Sequence, residues 1–262
     1  MKTERIIKQR ARAALKGNIL PMIASMGFCA LTFMFIEYMS YVPMVMLGIA
    51  DSDGEINFSG SILLILAVMG LRVIAMALAA PLFNGFLRSA GNVAMGRGAS
   101  AKDVFYYFGS ARLYFKTVAL DVILFTAYAL ISYGLDVYRY VSGAMDASLD
   151  NGLALNVETA ILLAALLASV AVKLILYMLF LHYPLFAYAL NDHRGVGFYV
   201  FKLIGFSCLN FGSVFKLFIG YLGWILLCFL VVPVMYVAPY LATGAALSAK
   251  WLFELDRNRG IV

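Results

Sequence analysis

The sequence predicts an all-α fold, a polytopic transmembrane helical bundle. It has about six spans arranged as three hairpins with cytoplasmic interfacial helices. Three observations predict it. The 262 residues are 64% hydrophobic and 13% charged, whereas soluble domains are about one quarter charged. That leaves too little polar surface to coat a water-soluble globule. Apolar stretches recur along the chain, and a bilayer core takes about 20 apolar residues per helix. Seventeen of the twenty Lys and Arg residues fall on one side of those stretches, the sidedness of an inner-membrane protein.

The chain begins with Lys2, Arg5, Lys8, Arg12 and Lys16, which share one helical face, while Ile7, Ala11, Ala14 and Leu15 share the opposite one. Residues 1–18 therefore read as an amphipathic cytoplasmic helix. Its anchors Arg5, Lys8, Arg12 and Lys16 are expected to meet the anionic headgroups of membrane lipids. Gly17 suits the end of that helix, Asn18 can cap the next, and Pro21 suits its first turn. The charged region is long and no small-residue cleavage pattern follows, so the first span is expected to stay in the mature protein.

Four spans follow from apolar length: Ile19 to Leu47, Ile62 to Phe86, Thr117 to Tyr133 and Thr159 to Tyr188. The first is long enough to tilt or to break near Pro43. The tract Val214 to Phe253 is too long for one crossing. Pro233 and Pro239 interrupt it, which predicts a fifth span to Leu230 and a sixth from Val234.

With six spans the inner segments hold 6, 5, 3 and 3 basic residues, and the outer loops 48–61 and 134–158 hold Arg139 with seven acids. Both termini are then expected in the cytoplasm, as for an inner-membrane protein. The net charge of +6 belongs to this sidedness. No basic patch stands apart from a membrane boundary, so no nucleic-acid partner is expected.

The map also predicts an internal repeat. Lys16, Lys116 and Lys216 stand where odd-numbered spans begin, and the even-numbered spans carry Pro81, Pro184 and Pro239. A second interfacial helix starts at Ser100 and Asp103, with Val104, Phe108, Ala111 and Phe115 on one face. A third runs from Val196 to Phe206. Residues 1–262 thus form one membrane domain: 1–18, a first hairpin 19–98, a second unit 99–191 and a third, shortened unit 192–262.

The opening Ala11-Arg12-Ala13-Ala14-Leu15-Lys16-Gly17-Asn18 resembles the start of the bacterial integral-membrane proteins grouped as domain-of-unknown-function family 975. The segment Gly223-Trp224-Ile225-Leu226-Leu227, then Pro239-Tyr240 and the Ala242 to Phe253 tail, is similar to that family's close. Ile19 and Trp251-Leu252-Phe253 depart from its usual aromatic positions. The resemblance implies a bacterial plasma-membrane protein of several helices and brings no established activity.

No nucleophile elbow, zinc-protease or phosphate-loop pattern occurs. The expectation is therefore no catalytic residue, no cofactor and no metal, and the chain is read as a non-enzyme. Cys29, Cys208 and Cys228 read as small apolar residues. His182 reads as interfacial and His193 as loop.

Charges inside a membrane cost about 2.5–3.5 kcal/mol each on insertion scales and so mark candidate sites. Glu37, Arg72, Asp121, Lys173 and Asp136 form that set. At 1.5 Å per residue Glu37 lies roughly 27 Å and Arg72 roughly 21 Å from the inner ends of their spans, within pairing reach. Asp121 is too shallow for Lys173, whose better partner is Asp136 at the outer end of span three. The small residues of span four suit close packing, within the bundle, in a homo-oligomer or against a protein partner. The reading is a scaffold or accessory membrane protein. Its alternative is a transporter or channel component with a polar intramembrane pathway.

Overall fold

The computed structural model describes residues 2–48, 62–123, 194–228 and 233–258, with positions 126, 164, 167, 172, 175, 178 and 181–184. Every regular element among the described residues is helical. The helices are α1 (Lys2–Leu15), α2 (Ile19–Met46), α3 (Ile62–Ala94) and a 3-10 helix η1 (Ala101–Gly109). Helical residues 111–123 form α4. Then come α5 (Val196–Leu209), α6 (Phe211–Leu227) and α7 (Val234–Asn258). Lys173, Asp136 and His193 lie outside the described residues.

The chain divides into two compact units. One comprises Met1–Met34, Ala77–Leu120 and Met178–Val262; the other comprises Phe35–Met76 and Asp121–Tyr177.

α2 and the Leu66–Ala94 part of α3 are long and apolar enough to cross a membrane. α5 and α6 meet the same test only as a pair, bent by 83°. Two helices, or three if the bent pair is one span, thus have the length and composition a membrane protein needs. Outward faces of these helices carry Leu31, Met34, Phe35, Leu63 and Leu71 exposed, a surface that lipid suits better than water.

Prolines lie inside three of the helices. α2 continues through Pro43 to Met46, α3 through Pro81, and α7 through Pro239. Pro233 stands at a boundary: α6 ends at Leu227 and α7 begins at Val234. α7 is the expected sixth span, yet it is not among the helices apolar enough to cross by composition. Its last turns carry Lys250, Glu254, Asp256 and Arg257.

α1 packs mainly on α7 and also touches α6. Ile7, Ala11 and Leu15 are buried, so the apolar stripe of this amphipathic helix lies against protein. Gly17 closes the helix at φ 90°, the left-handed conformation that glycine adopts without a Cβ clash. Asn18 does more than the capping expected of it. Its carboxamide donates to the Ala14 carbonyl (2.9 Å) and accepts from the Ala99 amide (2.9 Å), tying the α1–α2 turn to the 95–100 loop.

The second short element starts as its sequence demands. Ser100 and Asp103 form a capping box, each side chain receiving the other's backbone N–H. The continuation differs. The segment winds as a 3-10 helix and breaks at Ser110, so the face spaced for an α-helix does not form. Val104 and Tyr107 are buried while Phe108 and Phe115 are exposed. Gly85 of α3 fixes the approach, because a Cβ there would collide with the backbone carbonyl of Val104. The Arg88 guanidinium lies 3.6 Å from the Tyr106 ring centroid, a cation–π contact joining α3 to η1.

At the third short element, α5 meets α6 at Asn210, where the chain bends. The Asn210 amide nitrogen donates to the Phe206 carbonyl (3.1 Å) and to the buried Asp256 carboxylate of α7 (2.9 Å). A single side chain thus fixes the bend against α7.

Candidate functional site

Three polar sets stand out of the apolar background. The first lies in the unit containing Phe35–Met76, where Arg72 of α3 donates to Glu37 of α2 in a direct ion pair. The depth estimate from sequence anticipates this contact. The side chains stay 30% (Arg72) and 46% (Glu37) exposed, so the pair faces the surroundings of the helices rather than a sealed core. Its partners neutralise each other where a lone charge would be costly. Asp121 is buried in α4.

The second set is built by α1, α6 and α7. Tyr221, Trp224, Tyr236 and Tyr240 form a connected aromatic cluster with ring centroids 5.3 to 6.1 Å apart. Lys8 lies over Tyr221 at 5.3 Å and donates to the Gly220 carbonyl. The Arg12 guanidinium lies 5.5 Å from Trp224 and 5.7 Å from Tyr240. Cations over aromatic faces contribute about 0.5–1 kcal/mol when exposed, and more when desolvated. Of the four expected headgroup anchors, Lys8 and Arg12 thus also lie against the aromatic cluster. Burial of Ile7, Ala11 and Leu15 turns the flanking cations onto the aromatic cluster. Arg5, Arg12 and Lys16 remain exposed, and Lys8 is half-buried. The cluster depends on Gly244, whose position on α7 leaves no room for a Cβ beside the Tyr221 hydroxyl.

The third set surrounds His182. The sequence reading makes it interfacial; in the structure it is fully buried. Its Nε2 lies 3.4 Å from the Ser248 hydroxyl and its ring packs edge-on against Phe206 at 5.4 Å. Ala245, Ala246 and Ala249 make α7 thin enough along this stretch to admit the imidazole; all three are buried. Its Nδ1 has no hydrogen-bond partner among the described residues. Tyr183 beside it donates to Asn84 of α3 (2.7 Å). Ser248 also borders an open cavity of about 130 Å³ lined by Thr3, Glu4, Ile7, Ser213, Lys216, Leu217, Ser248 and Trp251.

No family model, curated protein or solved structure matches this chain.

The structure therefore unites Glu37 with Arg72, buries Asp121, and packs α1 against protein. The aromatic cluster and the cavity are missed from sequence, because their residues come from three distant segments. One local signal points to them: Gly220 next to Tyr221, and Gly244 four residues after Tyr240, where a Cβ would meet Lys8 and Tyr221 respectively. Such glycines mark close approach.

Proposed function

We propose that this chain is a non-enzymatic scaffold or accessory factor of the bacterial plasma membrane. In this reading it crosses six times, as three hairpins, with both termini in the cytoplasm. The likeness of its two ends to family 975 fits the same setting. α7 serves as the sixth span by keeping its polar face against protein, where Tyr240, Thr243 and Ser248 are buried. Membrane lipids are the first partners, with a second copy or another membrane protein as the further one.

The observation that carries this reading is the ion pair of Glu37 with Arg72. Two charges that face each other hold α2 beside α3 within their unit, which is the work of an assembly device. The short elements α1, η1 and α5, each ahead of a longer helix, support the three-unit reading. Purified chain in proteoliposomes should pass no charged solute above the empty-liposome rate, while crosslinking in intact cells should trap one recurrent stoichiometric complex. Saturable solute flux would reject the scaffold.

The alternative is a transporter or channel component. The partial exposure of Glu37 and Arg72 favours it, because a solute has access to the pair. Flux that is lost in the Glu37→Gln variant, with stability retained, would select this alternative.

A further inference from the structure

The cavity beside Ser248 has the makings of a binding site. Its volume of about 130 Å³ far exceeds the ~10–15 Å³ that one water needs, so it admits a small polyatomic group. Its walls come from α1 (Thr3, Glu4, Ile7), the first turns of α6 (Ser213, Lys216, Leu217) and α7 (Ser248, Trp251). Lys216 supplies a positive pole, Glu4 a negative pole, and Thr3, Ser213 and Ser248 supply hydroxyls. Ser248 is buried and backed by His182 at 3.4 Å, whose other ring nitrogen is itself buried without a partner among the described residues. The hydroxyl lining the cavity is thus held in place from behind, while Lys216 and Ser213 lie open at the rim.

We infer that this cavity binds a zwitterionic phosphate–ammonium group, with phosphate at Lys216 and the hydroxyls and ammonium at Glu4. A Lys ammonium is a point charge suited to phosphate, and charge-assisted hydrogen bonds are the strong ones. The same chemistry is found in an ethanolamine phospholipid headgroup and in free phosphoethanolamine. Only the lipid source rests on the membrane reading above. Because the walls belong to three helices, the bound group bridges α1 to α6 and α7 and holds α1 in its docked position.

The test uses full-length protein in non-ionic detergent carrying Trp224→Phe, which leaves Trp251 as the reporter. Phosphoethanolamine and dihexanoyl phosphatidylethanolamine are titrated against Trp251 emission, with inorganic phosphate and dihexanoyl phosphatidylglycerol as controls. Saturable binding of the ethanolamine lipid, tighter than either control, supports the inference. Equal binding of free phosphoethanolamine assigns a soluble source, and binding of the lipid alone assigns a headgroup. Lys216→Gln and Glu4→Gln should each weaken binding about tenfold, and ligand should slow amide exchange across α1. The inference fails if neither ethanolamine compound binds, or if the controls bind equally well. It also fails if Lys216→Gln, at an exposed position and with unchanged thermal unfolding, binds as tightly as the parent.

Discussion

Arg72 of α3 donates directly to Glu37 of α2, across 35 positions of sequence and within a background almost free of other charges. Glu37 is the one charged residue of α2, and α3 carries Arg72 near its middle and Arg88 towards its end. The pair converts two insertion penalties into one contact that sets the neighbour and register of the helices.

Removing one member should therefore harm more than removing both. Glu37→Ala leaves a guanidinium that cannot lose its proton, at a cost of about 2.5–3.5 kcal/mol at mid-depth, less whatever snorkelling recovers. Arg72→Ala leaves a carboxyl that can take up a proton, so it should cost less. Glu37→Leu combined with Arg72→Leu should recover most of the loss. Thermal unfolding in detergent of the four proteins checks the order. A double variant as unstable as the sum of the singles would contradict it.

Gly85→Ala should loosen η1 from α3, because the new methyl meets the Val104 carbonyl. Overpacking of this kind costs about 1–3 kcal/mol. Gly70→Ala is the control: its Cβ meets nothing within 4 Å, and in a helix alanine is the better residue. Paired melting curves should show a fall for the first and no fall for the second.

Docking of α1 should depend on its apolar stripe first and its cations second. Ala11 is fully buried, so Ala11→Glu places an unpaired charge against α7 and should release the helix. Arg12→Ala removes one cation–π partner and should cost only about 0.5–1 kcal/mol. Limited trypsin digestion followed by mass spectrometry should show rapid cleavage within residues 2–16 for Ala11→Glu, and a modest increase for Arg12→Ala.

Asn210→Ala should free the bend between α5 and α6. The buried Asp256 carboxylate loses a donor at 2.9 Å, a loss of about 1–3 kcal/mol. Hydrogen exchange should accelerate in α5 and at the end of α7. Unchanged exchange at both places would show that packing alone sets the bend.

The sequence reading reaches different depths in different places. Helical class follows from apolar length, and the Glu37–Arg72 pair follows from depth, because both rest on rise per residue alone. The capping box at Ser100 and the left-handed Gly17 follow from local backbone chemistry. The partner of α1 does not follow. An amphipathic stripe such as Ile7, Ala11 and Leu15 can meet lipid or protein, and only tertiary packing decides. The close approach of η1 likewise depends on Gly85, a residue in another helix. His182 is judged from its position beside a loop, yet its α7 neighbour Ser248 lies 66 positions away. Pro233 stands at the break that the sequence reading expects between α6 and α7, and α2 runs unbroken through Pro43, one of the two outcomes its length allows.

The claim on which the rest depends is that α2 and α3 cross a membrane with the basic segments inside the cell. Single cysteines at Gln9, Gly54 and Lys102, each in a background without Cys29, Cys208 and Cys228, test it in intact bacteria with a membrane-impermeant maleimide. The predicted result is labelling of Gly54→Cys in whole cells, and of Gln9→Cys and Lys102→Cys only after permeabilisation. Labelling of all three sites in whole cells, or of none until the cells are opened, would contradict the crossing.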